Sequence, residues 1–473
     1  MRPTRKAKRK KDQEIAPEYG LPIEVVIHDL GHNGEGVGRY AGLAVFVPGA
    51  VPGDTVLVQV TKQHPRYLHA DLLLIVTPSK HRIQSECPWF PSCGGCQLQH
   101  MRYASQLAWK QNRVRQVLTR VGGLQEVDVL PIIPAAMPWR YRNKAQFPIG
   151  VVDGQVSLGF YEQGSHRLVP IDQCLVQHPR IGSIIPKLQR LIAEHKIPPY
   201  SEVTGHGILR HVLCRVSFTT EELLITLVTT QSEFAGLAAL VQQITQTFAP
   251  LAGITLNVNT QKGNRILGDQ NYLLYGDEYL TETLRVLGHA VTFRISATAF
   301  FQVNPIQAQN LFATAVDYAQ VSADTTVWDA YCGTGSMAMF LAKAGAKKVW
   351  GIEAVPQAVD DARANAALND ITNVSFMLGR VEDIAPKLIT QEGPPHVLIV
   401  DPPRAGLDRA FIAEALTWGV ERWVYVSCNP ATLARDLQII CADGYSVQKV
   451  QPVDMFPHTA HVECVVLITR VKD

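Results

Sequence analysis

Thr326-Val-Trp-Asp-Ala-Tyr-Cys-Gly-Thr-Gly-Ser-Met337 is the stretch on which the fold turns. Thr326–Ala330 is a short apolar run of strand length. It breaks into Gly333-Thr-Gly335, where glycines let the backbone bend tightly and approach a ligand with no Cβ in the way. Working outward, Lys348–Ile352, Val397–Val400 and Trp423–Ser427 are further apolar runs, separated by helical stretches, from about residue 291 onward. Strands alternating with helices predict a parallel, doubly wound α/β sheet. In such sheets ligands bind beyond the carboxyl ends of the strands, near the switch point. The residues just past each run are therefore the candidate site.

Glu353 follows the second run, twenty residues beyond Gly333. A carboxylate there can accept both ribose hydroxyls of an adenosine cofactor. The same residues support a rival. Gly333-Thr-Gly335-Ser-Met-Ala338 fits the G-x-G-x-x-A dinucleotide fingerprint with its acidic partner at the right distance, as in an NAD(P)-dependent oxidoreductase. A glycine loop used only for packing is a third reading. The later strand ends speak against NAD. Val397-Leu-Ile-Val-Asp401-Pro-Pro-Arg404 sets a carboxylate, then a proline pair, over the pocket. Proline fixes φ and removes an N–H, so this turn is stiff. Trp423-Val-Tyr-Val-Ser-Cys428-Asn-Pro430 sets a thiol at the tip of the next strand. Free cysteines are usually buried small hydrophobes, which suits Cys441 and Cys464. Cys428 instead leaves an apolar strand for a polar Asn-Pro turn on the ligand edge. Cys332 sits in the glycine loop, where a cofactor should cover it.

The chain has 473 residues, 47% of them hydrophobic and 18% charged. That balance supports more than one buried core, and the length suggests about three domains. No run approaches the ~18 apolar residues of a membrane span. The basic start is not followed by the apolar stretch of a secretory signal, so a cytoplasmic address is expected. Residues 1–11 carry seven basic side chains and no acid; with those set aside, the chain's formal +2 becomes −5. They read as a short disordered arm able to contact phosphates, or as a solubilising tail. Short runs at Ile23–Ile27, Gly42–Val47, Asp54–Val60 and Ala70–Val76 lie between Gly/Pro turns, including Gly34-Glu-Gly-Val-Gly38. They predict a small β-barrel. Gly34-Glu-Gly-Val-Gly-Arg39 followed by Val45-Phe-Val-Pro-Gly49 resembles a TRAM domain, an OB-like RNA-binding module. A helix is expected over about 102–121, and mixed β-like and helical stretches over 139–290 suggest an α+β domain.

Four blocks resemble the signatures of the RNA uracil-C5 methyltransferases. They are Asp401-Pro-Pro-Arg-Ala-Gly406, Val426-Ser-Cys-Asn-Pro-Ala-Thr-Leu433, Asp454-Met-Phe-Pro-His-Thr-Ala-His-Val-Glu463 and Phe300-Phe-Gln-Val-Asn304. With the TRAM-like segment, the similarity covers nearly the whole chain and is nearest to the bacterial 23S rRNA branch, the uracil-1939 type, which holds an iron–sulfur cluster. The resemblance implies a fold: a Rossmann-like methyltransferase domain at 291–473, a central α+β domain with the cluster loop at 79–290, a TRAM-like barrel at 16–78 and a basic arm at 1–15. It implies that S-adenosylmethionine is held by Gln302, Tyr331, Glu353 and Asp401, with Ser336 and Gly379 nearby. It makes Cys428 the nucleophile and Glu463 the base. The chemistry needs these types. Carbon 5 of uracil becomes nucleophilic only when a thiolate adds at carbon 6, and a base must then remove the carbon-5 proton. Asp401 or Gln302 also suits the uracil edge. Gln302 has a plainer reading beside a helix start, with Asn304 as N-cap and Pro305 in the first turn.

Cys87, Cys93 and Cys96 form a C-x5-C-x2-C pattern in a Pro- and Gly-rich segment that cannot be regular helix. Clustered cysteines in a cytosolic enzyme more often hold a metal or do chemistry than form disulfides. By the resemblance Cys174 is the fourth ligand of a [4Fe–4S] cluster, which needs four thiolates. A four-thiolate zinc site is the alternative, although such sites usually show two close cysteine pairs. The partner expected is RNA, with 23S rRNA favoured over tRNA, and the enzyme is expected to be a monomer.

Overall fold

The computed structural model describes residues 21–471, so the basic arm lies outside the described residues. The chain divides into two compact units. The first takes residues up to 91 together with 96–106 and 458–460. Its strands Ile23–Leu30, Gly36–Tyr40, Leu43–Val47, Thr55–His64 and Tyr67–Thr77 close into a barrel. Alternation sets the inside: Val25, Ile27, Val45, Val47, Val56, Val58, Leu68 and Ala70 point inward and are buried. Gly36–Tyr40 is a strand, where the sequence suggested a turn. Its glycines serve close packing: a Cβ on Gly38 would lie 2.2 Å from Val25 Cγ1 and 2.6 Å from the Val26 carbonyl. Buried Asp54 accepts from the backbone N–H groups of Val51 and Ser79 and pairs with Arg82 at 2.5 Å.

The second unit carries two seven-stranded sheets. The first has the order Gln270–Gly276, Leu251–Val258, Leu223–Thr229, Leu209–Val216, Lys144–Val152, Gln155–Tyr161, Leu168–Pro170. Helices Pro179–Glu194 and Leu237–Thr247 accompany it. A hairpin, Tyr279–Val286 with His289–Ser296, comes next in the chain. The domain boundary read at 290/291 falls inside this hairpin. Asn365 and Asn369 each accept from its backbone at 2.8 Å, from Arg294 and Thr292, so the hairpin packs against the helix Pro356–Leu368.

The second sheet has the order Val374–Leu378, Lys348–Glu353, Thr326–Ala330, Val397–Val400, Arg422–Ser427, Glu463–Arg470, Tyr445–Val453. In chain order this is 3-2-1-4-5-7-6. Alternate residues serve two cores. Val327, Ile399 and Val424 face one, while Trp328, Leu398 and Tyr425 face the other. Burial on both faces is what the near-continuous apolar runs foretold. The dinucleotide-binding fold runs 3-2-1-4-5-6. Here Glu463–Arg470 inserts antiparallel between the fifth and sixth strands. Val374–Leu378 and Tyr445–Val453 are strands that the apolar runs did not foretell, because Ser375, Gln448 and Lys449 interrupt the pattern.

Candidate active site

The loop after Thr326–Ala330 is bent by three left-handed residues, Tyr331 (φ 66°), Gly333 (φ 54°) and Gly335 (φ 77°). Gly333 faces open space, whereas a Cβ on Gly335 would meet the Phe376 ring at 2.6 Å. Glu353 holds the loop in place. One carboxylate oxygen accepts from the Gly333 N–H at 3.0 Å and the other from the Val355 N–H at 2.9 Å. Each oxygen keeps a further lone pair for a ligand hydroxyl. Gly379 donates its N–H to the Glu353 carbonyl at 2.9 Å. Ser336 begins the helix Ser336–Lys343 directly after the loop. The Tyr331 ring meets Phe411 edge-on at 5.9 Å, and burial pushes its phenol up to about 12.

Asp329 is a residue the sequence reading did not single out. It is 1% exposed, and its Oδ2 has no hydrogen-bond partner among the described residues. Burial, then Asp401 and Glu353, push its pKa well above the carboxylate range. A charged residue inside an apolar strand was the available signal. Asp329, Glu353 and Asp401 are coupled in this way, and none makes an ion pair among the described residues. A positively charged sulfonium would favour the ionised forms of these acids, whereas the pyrophosphate of NAD would disfavour them. When bound, S-adenosylmethionine would supply a methyl group on that sulfonium.

The reacting end lies at the next two strand tips. Asp401 is reached by solvent yet crowded by protein, and this burial pushes it up to about 7. Its turn is stitched to the cysteine turn: Asn429 Nδ2 donates to the Arg404 carbonyl at 3.1 Å and Thr432 Oγ1 at 3.3 Å. Asn429 also caps the helix Pro430–Ala442, accepting from the Ala431 N–H at 3.1 Å. Cys428 is half-buried between that cap and the strand. Ser427 pairs with Cys464 in the antiparallel ladder, so the register sets Glu463 against Cys428. Burial pushes the Cys428 thiol up to about 11, with Glu463 and Asp401 adding to the rise and Arg404 opposing it. Burial, then Asp401, push Glu463 up to about 8, again opposed by Arg404. Asp401 and Glu463 thus raise the Cys428 thiol, Asp401 raises Glu463, and Arg404 opposes both rises.

Two further contacts hold this geometry. Lys110 and Asp454, both fully buried, pair at 2.5 Å, and Lys110 also donates to the Phe456 carbonyl at 3.0 Å. They pin the turn that leads to Glu463. Nothing in the sequence links residues 344 apart. Asn304 caps its helix as expected and donates to the Met455 carbonyl at 3.0 Å. Gln302 is half-buried just before that cap, and its side-chain amide makes no hydrogen bond among the described residues.

The cysteines of the loop are all half-buried. Cys87 and Cys96 belong to the first unit, Cys93 and Cys174 to the second. A Cβ on Gly94 would lie 2.8 Å from the Tyr161 carbonyl, so this glycine is required for close approach. Four soft thiol donors suit a cluster chemically. Among the described residues no group of His, Cys, Asp or Glu is gathered as a metal site. In the barrel, Phe46, His64, Tyr67 and His69 form a group of ring contacts at 4.4–5.8 Å.

Known proteins resemble this chain along most of its length. The family model for tRNA (uracil-5-)-methyltransferase matches residues 102–471, and that for the TRAM domain matches residues 20–73. A Bacillus cereus protein described as an uncharacterized RNA methyltransferase is 42% identical over 450 residues, covering 95% of this chain and 97% of its own. A Clostridium acetobutylicum protein of the same description is 40% identical over 450 residues, with 95% and 97% covered. The crystal structure of Pyrococcus abyssi tRNA (uracil-54, C5)-methyltransferase in complex with S-adenosyl-L-homocysteine superposes with a TM-score of 0.76 at 27% identity, over 94% of this chain and 99% of that one. Among the described residues no helix is long and apolar enough to cross a membrane.

Proposed function

The chain belongs to the tRNA (uracil-5-)-methyltransferase family, S-adenosylmethionine-dependent enzymes that act on RNA uracil, and carries a TRAM domain; from that premise we propose that it methylates carbon 5 of a uridine in 23S rRNA, of the uracil-1939 type, through a covalent adduct on Cys428. The observation that carries the reading is the register that sets Glu463 against Cys428, with the charge of Arg404 acting on both. Cys428 Sγ adds to carbon 6 of the ring and pushes electrons onto the carbon-4 oxygen, making carbon 5 nucleophilic. Arg404 favours the thiolate. After carbon 5 is methylated, Glu463 takes its proton, the ring double bond reforms and Sγ leaves. Gln302, Tyr331, Ser336, Glu353, Gly379 and Asp401 hold the cofactor, and Asp401 or Gln302 reads the uracil edge.

The choice of 23S rRNA rests on the pairing of a TRAM domain with the cysteine quartet. A tRNA substrate is the second reading, favoured by the Pyrococcus abyssi enzyme, which acts on tRNA uracil-54. Cys87, Cys93, Cys96 and Cys174 are proposed as ligands of a [4Fe–4S] cluster, supported by thiol chemistry, by the spacing of the first three and, for Cys174, by the family resemblance. The basic arm, the barrel rings as base-stacking platforms, a cytoplasmic address and a monomeric state belong to the same proposal. So does a division of the chain after residue 78 and ahead of the hairpin at Tyr279. Mapping 5-methyluridine in rRNA and tRNA from a deletion strain tests the substrate: loss from 23S rRNA supports the reading, and loss from tRNA alone overturns it. RNA bearing 5-fluorouridine should form a gel-stable complex with the native enzyme and none with Cys428→Ala. An equal complex with both removes Cys428 from the mechanism.

A further inference from the structure

The central sheet holds a group of cations that the reaction does not use. Lys144 opens the strand Lys144–Val152 and stands directly opposite Arg215 in the antiparallel ladder. Like charges directly opposite one another destabilise a sheet. Arg215 is 3% exposed; one Nη donates to the Ala299 carbonyl at 2.8 Å, while its Nε and other Nη have no partner. Lys144 is half-buried, and its ammonium makes no hydrogen bond among the described residues. Arg142, two residues earlier, donates Nε to the Lys144 carbonyl at 3.3 Å. Burial, with Arg215 and Arg142 adding to it, pulls Lys144 down to about 7. None of the three takes part in an ion pair among the described residues. On the other side of Arg215, the ladder offers apolar Leu224.

Uncompensated buried charge is costly, and three cations gathered without a carboxylate call for an anion from outside. Their position says which. Asn143, between Arg142 and Lys144, donates its N–H to the Val303 carbonyl at 2.8 Å and its amide to the Gln302 carbonyl at 3.4 Å. The group is thereby fastened to the segment that carries Gln302. Burial first, then Arg404, Lys110, Arg113 and Arg142, pulls His461 down to about 4, so Arg142 and Arg404 both act on a residue two before Glu463. We propose that Arg142, Lys144 and Arg215 form a phosphate site that seats the RNA backbone beside the reacting uridine. This rests on the reading of the chain as an RNA methyltransferase and adds the residues that hold its substrate.

The test uses the full chain and an unmodified 23S rRNA transcript, with an unmodified tRNA transcript alongside. Lys144→Met should weaken binding of the RNA by about tenfold or more, as losing a charged hydrogen bond does. It should also lower the slope of log affinity against log salt by about one, the signature of one lost phosphate contact. Lys144→Arg should restore the slope, and Arg142→Met should repeat the loss at a second position of the group. Affinity for S-adenosylmethionine should stay within about twofold of the native value in all three, since no cofactor contact is removed. An unchanged slope and RNA affinity in both Met variants overturns the site. So does weakened S-adenosylmethionine binding with the RNA slope intact, which would give the cations to the cofactor's carboxylate. Failure of the native enzyme to bind either transcript is a different result, and it counts against the functional reading itself.

Discussion

Glu463→Gln should separate the two halves of the reaction and, in the same protein, reveal what burying the base costs. Burial and Asp401 lift Glu463 from 4.5 to about 8. A carboxyl whose folded pKa is raised stabilises the fold fully below its unfolded pKa, and that stability is lost as pH rises through the folded value. At about 1.4 kcal/mol per unit, the native enzyme at pH 7 carries a penalty on the order of 3 kcal/mol. Glutamine keeps the shape and cannot ionise. The variant should therefore melt higher than the native protein at pH 7–8, and the two should converge toward pH 4.5. Its chemistry should fail at one step only. The thiolate still adds and the methyl group still moves, but an amide cannot take the carbon-5 proton. Release of methylated RNA should slow by about 10²–10⁴, the usual worth of a general base. The Cys428-linked, methylated RNA should then accumulate on denaturing gels. In the native enzyme the release rate should rise about tenfold per pH unit up to pH 8 and then level, since only ionised Glu463 can act. Full turnover by the variant with no trapped RNA, or a melting difference that ignores pH, would refute the reasoning.

Other consequences are as direct. A cationic cofactor analogue should lower the pH midpoint of Cys428 alkylation by roughly one to three units, and S-adenosyl-L-homocysteine, which lacks the sulfonium, should not; peptide mass spectrometry across a pH series reads this, and equal midpoints reject it. Gly335→Ala should cost about 1–3 kcal/mol in melts and weaken S-adenosylmethionine binding, through strain and the Phe376 ring, whereas Gly333→Ala should cost only the left-handed penalty of about 1–2 kcal/mol. Lys110→Met should destabilise by about 3–5 kcal/mol because it breaks a buried pair, and adding Asp454→Leu should recover much of that loss in denaturant titrations. Anaerobically purified protein should carry about four irons per chain; zinc in their place rejects the iron–sulfur assignment, and stripping the iron should leave S-adenosylmethionine affinity unchanged.

The strands beyond residue 325 were legible wherever four to six apolar residues run together. Val397-Leu-Ile-Val400 is buried on both faces and reads as nothing else. Tyr445–Val453 was illegible because its outer half is solvated and polar. Gly36–Tyr40 was misread because glycine signals a turn and a close strand approach with the same letter. In the site, Cys428 could be picked out locally, since a thiol leaving an apolar strand for an Asn-Pro turn is out of place as a core residue. Glu463 could not. An acid opening a strand usually faces solvent, and only the resemblance gave it a role. Its burial comes from the insertion of its strand between Arg422–Ser427 and Tyr445–Val453. Lys110 and Arg215 share this fate, because their meaning lies in partners that the chain brings from hundreds of residues away or, for Arg215, does not supply.

The inserted last strand does more than complete the sheet. By entering between the fifth and sixth strands it carries Glu463 to the Cys428 tip, where the carboxyl ends of the parallel strands already hold Asp401 and Asp329. Together with Glu353, these acids share one region with Arg404 as the nearby cation. Burial first, then Glu463 and Asp401 for the thiol and Asp401 for the carboxyl, holds Cys428 near 11 and Glu463 near 8. Such a site is poor at making a thiolate while it is empty. A positive charge placed among these groups relieves all of them at once, lowering the thiol and the carboxyls together. Under the proposed roles, these acids would tie the reactivity of Cys428 to the presence of a cationic methyl donor. On the proposed mechanism the thiol would stay protonated until there is a methyl group to transfer.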